Sequence, residues 1–262
     1  MNILEQIAQD TQTRITHQKT HRPLESIRAQ ALAMKSDSGR FESALRQEGM
    51  SFICEVKKAS PSKGVITEDF DPVRIALAYQ EAGATCISCL TEPKYFLGSD
   101  KYLEAIAKRV NLPVLRKDFV IDPYMIYEAK ILGAHAVLLI CAILEHSQLQ
   151  EYQEIAQSLG LCVLVEVHDE EDLQKALDSK ARIIGINNRD LRDFSVDIHT
   201  STRLAALIPD EVVRVSESGI QGAQEVQMLE SSGFEAILVG ESLMRAADKR
   251  VALRVLRGDK ER

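Results

Sequence analysis

Glu55 and Lys57 stand two residues apart within an apolar run, in the stretch 51–64 that reads SFICEVKKASPSKG. In an extended strand, residues i and i+2 share a face, so this carboxylate and ammonium can pair and jointly contact a polar ligand. Core strands normally avoid such groups unless they are paired or at work. The Ser-Pro-Ser-Lys-Gly loop that follows offers hydroxyls and backbone N–H groups of the kind that hold phosphate, with Ser60 the first of them. Taken alone, the stretch reads equally well as an edge strand with a solvated ion pair and an ordinary turn.

Other apolar runs end in the same manner. Lys117 and Asp118 close the run at 114–117, Glu166 lies in 162–167, and Asn187 and Arg189 follow 183–187. Glu217 and Ser218 follow 212–216, and Gly240 and Glu241 follow 236–239. Each has a bland reading: Lys117 as a solvated rim lysine, Asn187 as a turn former, Glu166 as half of a structural ion pair. Stability does not require a polar group at the same end of nearly every strand. The set therefore reads as acid–base and binding machinery. The segments Ser216-Glu217-Ser218-Gly219-Ile220 and Val239-Gly240-Glu241-Ser242-Leu243 are each expected to open a helix, presenting free N–H groups and the positive dipole end to an anion.

Strands must position these groups. The candidates are 52–57, 85–90, 114–117, 136–140, 162–167, 183–187, 212–216 and 236–239. Several are continuous apolar runs, such as AVLLI and CVLVEV, as parallel strands buried on both faces require. Amphipathic stretches at 73–82, 102–108, 123–132, 148–158, 170–178, 199–207 and 221–230 alternate with them as helices. Gly83, Gly133, Gly160 and Gly233 each fall between a helix and a strand, where a left-handed cap turns the chain back. Eight such units close a (β/α)8 TIM barrel. A doubly wound open sheet is the alternative, weakened by the lack of a G-x-G-x-x-G after the first strand.

Residues 1–48 precede the first strand and read as helices, with Ile3, Leu4, Ile7 and Ile15 on one stripe and Leu24, Ile27, Ala31 and Leu32 on another. The division is thus an N-terminal helical extension (1–48) packed on a single catalytic barrel (49–262). The extension either covers an open end of the core or lends residues to a site as a lid.

Composition narrows the function. A chain of 262 residues suits one barrel of about 250. Its net charge of −7 and dispersed Lys and Arg argue against nucleic acid, so an anionic ligand must be caught by a local cationic site. The five cysteines (Cys54, Cys86, Cys89, Cys141, Cys162) read as small core residues of a reducing cytosol; Cys86-Ile-Ser-Cys89 has C-x-x-C spacing but falls in a strand. No cluster has metal-ligand spacing. The N-terminus lacks a signal-peptide pattern, and the longest apolar run, 136–144, is far short of the ~20 residues of a membrane span.

In this order, EVKKASPSKG, LTEPKYFLGS, LRKDFVIDPYMIYEA, GINNRDL, VSESGI and VGESLM make the chain resemble the indole-3-glycerol phosphate synthase family over essentially its whole length. The resemblance implies a TIM barrel without metal or organic cofactor. It implies a cytoplasmic carboxy-lyase of tryptophan biosynthesis that converts 1-(2-carboxyphenylamino)-1-deoxyribulose 5-phosphate to indole-3-glycerol phosphate, carbon dioxide and water. Carried over position by position, Lys117 is the general acid of ring closure and Glu166 the acid/base carboxylate of dehydration. Glu55 and Lys57 order the site and contact substrate. Asn187, Arg189 and Ser218 bind the anthranilate end, and Phe119 is an apolar wall. Ser60, Gly219, Gly240 and Glu241 bind phosphate. The expected partner is a phosphorylated small molecule, not nucleic acid or membrane, and the expected assembly is a monomer or weak homodimer. The chain stops soon after its last helix, so a single activity is expected. A neighbouring phosphosugar barrel, such as phosphoribosylanthranilate isomerase, would share the phosphate site but not the E-V-K, K-D-F and N-N-R-D-L segments. A barrel that binds without catalysis should have lost one of the ionisable strand-end groups, and this chain keeps them all.

Overall fold

The computed structural model describes residues 2–190 and 194–258. Its strands, in chain order, are β1 (Ser51–Val56), a short pair β2 (Ala59–Ser60) and β3 (Gly64–Val65), β4 (Cys86–Leu90), β5 (Val114–Lys117), β6 (Ala136–Ile140), β7 (Cys162–Val167), β8 (Ile183–Asn187), β9 (Val213–Glu217) and β10 (Ala236–Val239). All but β2 and β3 pair in parallel in the order β1-β10-β9-β8-β7-β6-β5-β4, and β4 returns to β1, closing a barrel. The open-sheet alternative is excluded by that closure. β2 and β3 form a separate antiparallel hairpin in the loop after β1, where the sequence suggests only a turn.

Helices α4 (Pro72–Glu81), α5 (Asp100–Ala107), α6 (Pro123–Ile131), α7 (His146–Ser158), α8 (Glu170–Asp178), α9 (His199–Ala205) and α10 (Ala223–Ser231) alternate with the strands, followed by α11 (Glu241–Arg245) and α12 (Lys249–Arg257). Asp71, Ser99, Asp122 and Asp169 accept the first free N–H groups of α4, α5, α6 and α8. Four helices end on the expected left-handed glycine, as at Gly83, whose N–H donates to the Gln80 carbonyl while Ala84 N–H reaches the Tyr79 carbonyl. Helix α8 ends in the same way on Lys180 (φ 59°), which no glycine signal reveals.

The period-two alternation of each strand sorts its side chains. Ile53, Cys86, Leu115, Leu138, Leu164, Ile183, Val213 and Leu238 fill the barrel interior, while Cys54, Val56, Ile87, Cys89, Val114 and Val165 pack under the helices. Cys86 and Cys89 therefore lie on opposite sides of the barrel wall, and all five cysteines are free.

The chain before β1 forms α1 (Ile3–His21), α2 (Leu24–Leu32) and α3 (Arg40–Leu45). Helix α3 plugs the N-terminal end of the barrel: Phe41 and Leu45 join the interior cluster, and Arg46 and Glu42 reach the Glu211 carbonyl and Arg182 there. Helix α1 lies across the opposite end. Its Arg14 donates to Asp118 at 3.1 Å, Lys19 to Asp122 at 2.6 Å, and its Asp10 accepts from Lys94 at 2.7 Å and Tyr95 at 2.5 Å. Helix α2 packs on α6 through Ile27 and Ala31; Leu32, expected on that stripe, is instead 55% exposed at the helix end. No helix among the described residues is long and apolar enough to cross a membrane.

Candidate active site

Because interior positions recur every second residue, the last inward position of most strands falls at the C-terminal mouth, where a cavity of about 580 Å³ opens. It is lined by Glu55, Lys57, Ser60, Lys117, Phe119, Glu166, Asn187, Arg189, Ser218, Gly219, Gly240 and Glu241, so every residue singled out from the sequence meets in one place. Helix α1 contributes Ile3, Leu4 and Ile7 to its wall. The extension thus both covers the barrel and lines the cavity.

Lys117 is the hub. Its Nζ lies 3.0 Å from Glu166 Oε2 and 3.3 Å from Glu217 Oε2. Burial works against the ammonium, but Glu166, Glu217 and Glu55 outweigh it and hold its pKa well above the ordinary lysine value. Burial also pushes Glu166 up, yet Lys117, His168 and the Asn187 amide more than offset it, leaving that carboxyl below the usual range. Glu217 goes the other way: burial, with the negative charges of Glu166 and Glu55, overcomes Lys117 and pushes it up to about 7. Two glutamates on one ammonium are thus driven apart in proton affinity, one ionised and one able to carry a proton near neutrality. The sequence marked Glu217 as a polar strand end without giving it a role; the telling signal was its inward parity with Val213 and Val215.

Around this centre, Lys57 pairs with Glu55 at the end of β1. Asn187 donates to Glu166 Oε1 at 3.3 Å and accepts from the Ser218 hydroxyl at 2.9 Å and the Arg189 N–H at 3.1 Å. The next residue, Asn188, points outward and is structural, bridging Ser201, Ser216 and the Ser218 carbonyl. Ser218 holds a left-handed backbone (φ 68°), an uncommon conformation for a non-glycine residue and one met at functional turns. Arg189 donates to the Phe194 carbonyl at 3.2 Å; Leu191, the last residue of GINNRDL, lies outside the described residues. Phe119 packs on Phe96 with ring centroids 5.9 Å apart.

The glycine segments behave differently from one another. Gly240 immediately precedes α11, as expected. The segment at Gly219 does not open a helix: Gly219 (φ 81°) continues the left-handed turn, and α10 begins only at Ala223. The chain needs that turn to leave the mouth before the helix can start. Gly240 has a further reason for lacking a side chain, since a Cβ there would collide with the Glu55 carboxylate and meet Lys57 Nζ at 3.0 Å.

A closed (β/α)8 barrel with carboxylates and cations gathered at its C-terminal mouth has the form of a barrel enzyme. Within that class, the chain belongs to the indole-3-glycerol phosphate synthase family, whose model matches residues 4–256. It is similar to the indole-3-glycerol phosphate synthase of Ruminiclostridium cellulolyticum, 49% identical over 257 residues covering 98% of this chain and 99% of that one. It is similar as well to that of Lachnoclostridium phytofermentans, 45% identical with 97% and 98% covered. Among solved structures, the thiamine phosphate pyrophosphorylase from Pyrococcus furiosus superposes with a TM-score of 0.59 at 17% identity, covering 80% of this chain and 94% of that one. KGPDC from Streptococcus mutans gives 0.61 at 11% identity, covering 80% and 96%. At such identities these two likenesses show the barrel alone.

Proposed function

We propose that the Lys117–Glu166–Glu217 cluster carries the reaction of this family, in which 1-(2-carboxyphenylamino)-1-deoxyribulose 5-phosphate becomes indole-3-glycerol phosphate, carbon dioxide and water. The chain is a carboxy-lyase of tryptophan biosynthesis by membership in the family. The observation that supports the assignment of residues is the single ammonium held within 3.3 Å of two carboxylates of opposed proton affinity.

The chemistry asks for what these groups offer. The ring carbon bearing the carboxylate attacks the ketone carbon, and the ketone oxygen takes a proton from Lys117 Nζ as negative charge builds on it. Carbon dioxide then leaves, returning its bonding electrons to the ring. Dehydration removes the new hydroxyl as water with a second proton from the recharged Lys117, while the adjacent carbon gives its proton to a base. Glu166, held ionised, serves as the base, and Glu217 as the carboxyl that restores the proton to Lys117. Arg189 is proposed to hold the substrate carboxylate with Asn187 and Ser218, against the Phe119 wall. The phosphate is proposed to lie at the other end, on Ser60 and the main-chain N–H groups at Gly219, Gly240 and Glu241. The Glu241 side chain is turned to Arg245 at 3.2 Å, so only its N–H suits an anion. Gripping both ends would bend the substrate until its reacting carbons meet.

The proposed assembly is a monomer or weak homodimer, because all these residues come from one chain, and a reducing cytoplasm suits five free cysteines. The test is appearance of indoleglycerol phosphate fluorescence on adding substrate to the purified protein. Isomerase activity in its place, or ligand binding without turnover, would sink the reading. In the same assay Arg189→Ala should raise KM far more than it lowers kcat; unchanged affinity for a carboxylated substrate analogue would remove that contact.

A further inference from the structure

Glu166 is held from two sides. Its Oε2 accepts from Lys117, while its Oε1 takes the Asn187 amide at 3.3 Å and lies 3.4 Å from Nε2 of His168. His168 is two residues past Glu166, in the bend just beyond the end of β7. It is not among the residues that line the cavity; it stands behind Glu166. On its far side, Nδ1 lies 3.4 Å from Asp172 Oδ2, and that same oxygen accepts the His168 backbone N–H at 3.1 Å. Asp172 sits in the first turn of α8, its own N–H donating to Asp169 Oδ1 at 2.9 Å. The row runs Asp172, His168, Glu166, Lys117, Glu217.

Counting protons along this row gives His168 a definite state. The Asp172 carboxylate requires hydrogen on Nδ1. A neutral ring would then set the Nε2 lone pair 3.4 Å from the Glu166 carboxylate, bringing two acceptors together. Nε2 is shut off from solvent and makes no hydrogen bond among the described residues, and Glu166 Oε1 lies 3.4 Å from it. One proton at this junction removes the conflict.

We infer that His168, seated by Asp172, is a positioning residue for Glu166: as an imidazolium it turns Nε2–H toward Oε1 and keeps the other oxygen on Lys117. The inference rests on the reading of Glu166 as the base of the reaction. The charged and titratable groups around the ring are consistent with it. Asp172 faces it from α8, Glu166 from β7 and Glu217 from β9, with Lys117 of β5 beyond Glu166, while Asp169 caps α8 and holds the Asp172 N–H. The Cys141 thiol borders this region, and Lys175 is occupied by the Cys141 and Leu144 carbonyls. Burial lowers the affinity of the ring for its second proton, but Asp172, Glu166 and Glu217 together reverse the balance and raise it.

Steady-state kinetics against pH, on the wild type, His168→Gln and Asp172→Asn, tests this. His168→Gln should lower kcat roughly 10–10²-fold with KM little changed, as misplacement of a reacting group does. The acidic limb of its kcat profile should move to higher pH, because the cation that keeps Glu166 ionised is gone. Asp172→Asn should move the same limb in the same direction by less. A purely structural histidine would lower thermal stability and leave the limb in place, and that outcome overturns the inference. Nitrogen-15 imidazole spectra of the wild type give a second readout: both His168 nitrogens should be protonated at pH 7, in a resonance that shifts in Asp172→Asn, and a neutral tautomer there overturns it as well. A wild type without turnover would instead sink the assigned reaction, and this inference with it.

Discussion

Gly185 in β8 and Glu217 in β9 share a patch of the barrel lumen, where the Glu217 carboxylate occupies the space that a side chain on Gly185 would take. A Cβ on Gly185 would collide with Glu217 Oε1 and meet Leu164 Cδ1 at 3.1 Å. The carboxylate beside Lys117 therefore depends on a missing methyl group one strand away. Gly185→Ala should displace Glu217 and lower kcat by about 10²-fold, the usual cost of a shift of about 1 Å in a catalytic group. Kinetics with a parallel melting curve would check it; normal turnover would mean that the Glu217 position is unimportant.

Lys117→Met keeps the length of the side chain and removes the ammonium. Turnover should fall by roughly 10²–10⁴-fold, the ordinary worth of a positioned acid. Glu166 and Glu217 would be left buried without their cation, so both would hold protons above the ordinary carboxylate range. A group raised in this way supports the fold below its unfolded pKa and withdraws that support as pH rises. The variant should therefore melt at a lower temperature at pH 8 than at pH 6, with a steeper difference than the wild type.

Glu217 makes a similar claim about the unaltered protein. With its pKa pushed from the ordinary 4.5 up to about 7, its contribution to stability is complete below 4.5 and lost as pH climbs toward 7. Glu217→Gln should flatten that part of the stability profile. It should also remove a basic limb near pH 7 from kcat, if the carboxyl works in its protonated form. Denaturant unfolding at several pH values measures the first effect, and the pH–rate profile the second.

Arg14 ties α1 to Asp118, immediately beside Lys117, and the Asp118 side chain is fully buried. Burial would raise that carboxyl, but Arg14 and Arg116 hold it below its ordinary value. Arg14→Ala leaves Asp118 with Arg116 and Thr91, so the loss should be about 1.5–3 kcal/mol, the scale of one charged hydrogen bond. The larger effect should be on KM, because Ile3, Leu4 and Ile7 lose their seat over the cavity. Unaltered KM would confine α1 to a structural role.

The barrel was legible because its strands are continuous apolar runs and its helix ends are punctuated by glycine. Those are local signals, and they located each barrel strand to within about a residue at each end. The short elements escaped for the same reason. The β2–β3 hairpin is too brief to carry a period, and Lys180 adopts a glycine conformation under tertiary constraint. For the site, the sequence named side chains that meet at the barrel mouth but not their hierarchy. Distances made Lys117 the hub, divided the two asparagines into a lumen residue and a structural one, and brought Glu217, Gly185 and His168 into the account. None of these could be ranked from spacing alone, because the rank depends on what stands across the barrel.

At the end of β5, Arg116 and Lys117 take opposite sides of the barrel wall, and the Asp118 carboxylate just beyond turns back to the side of Arg116. Arg116 and Asp118 lie among Thr91, Asp100, Glu128 and Arg14 on the outside, while Lys117 reaches the lumen. Inserting or deleting one residue just ahead of this triplet would exchange the two sets. A lone lysine would then be stranded under the helices, and two charges of opposite sign would enter the cavity. Chain length at this point is fixed in steps of two, and drift by a single codon ends both the fastening of the outer layer and the chemistry together.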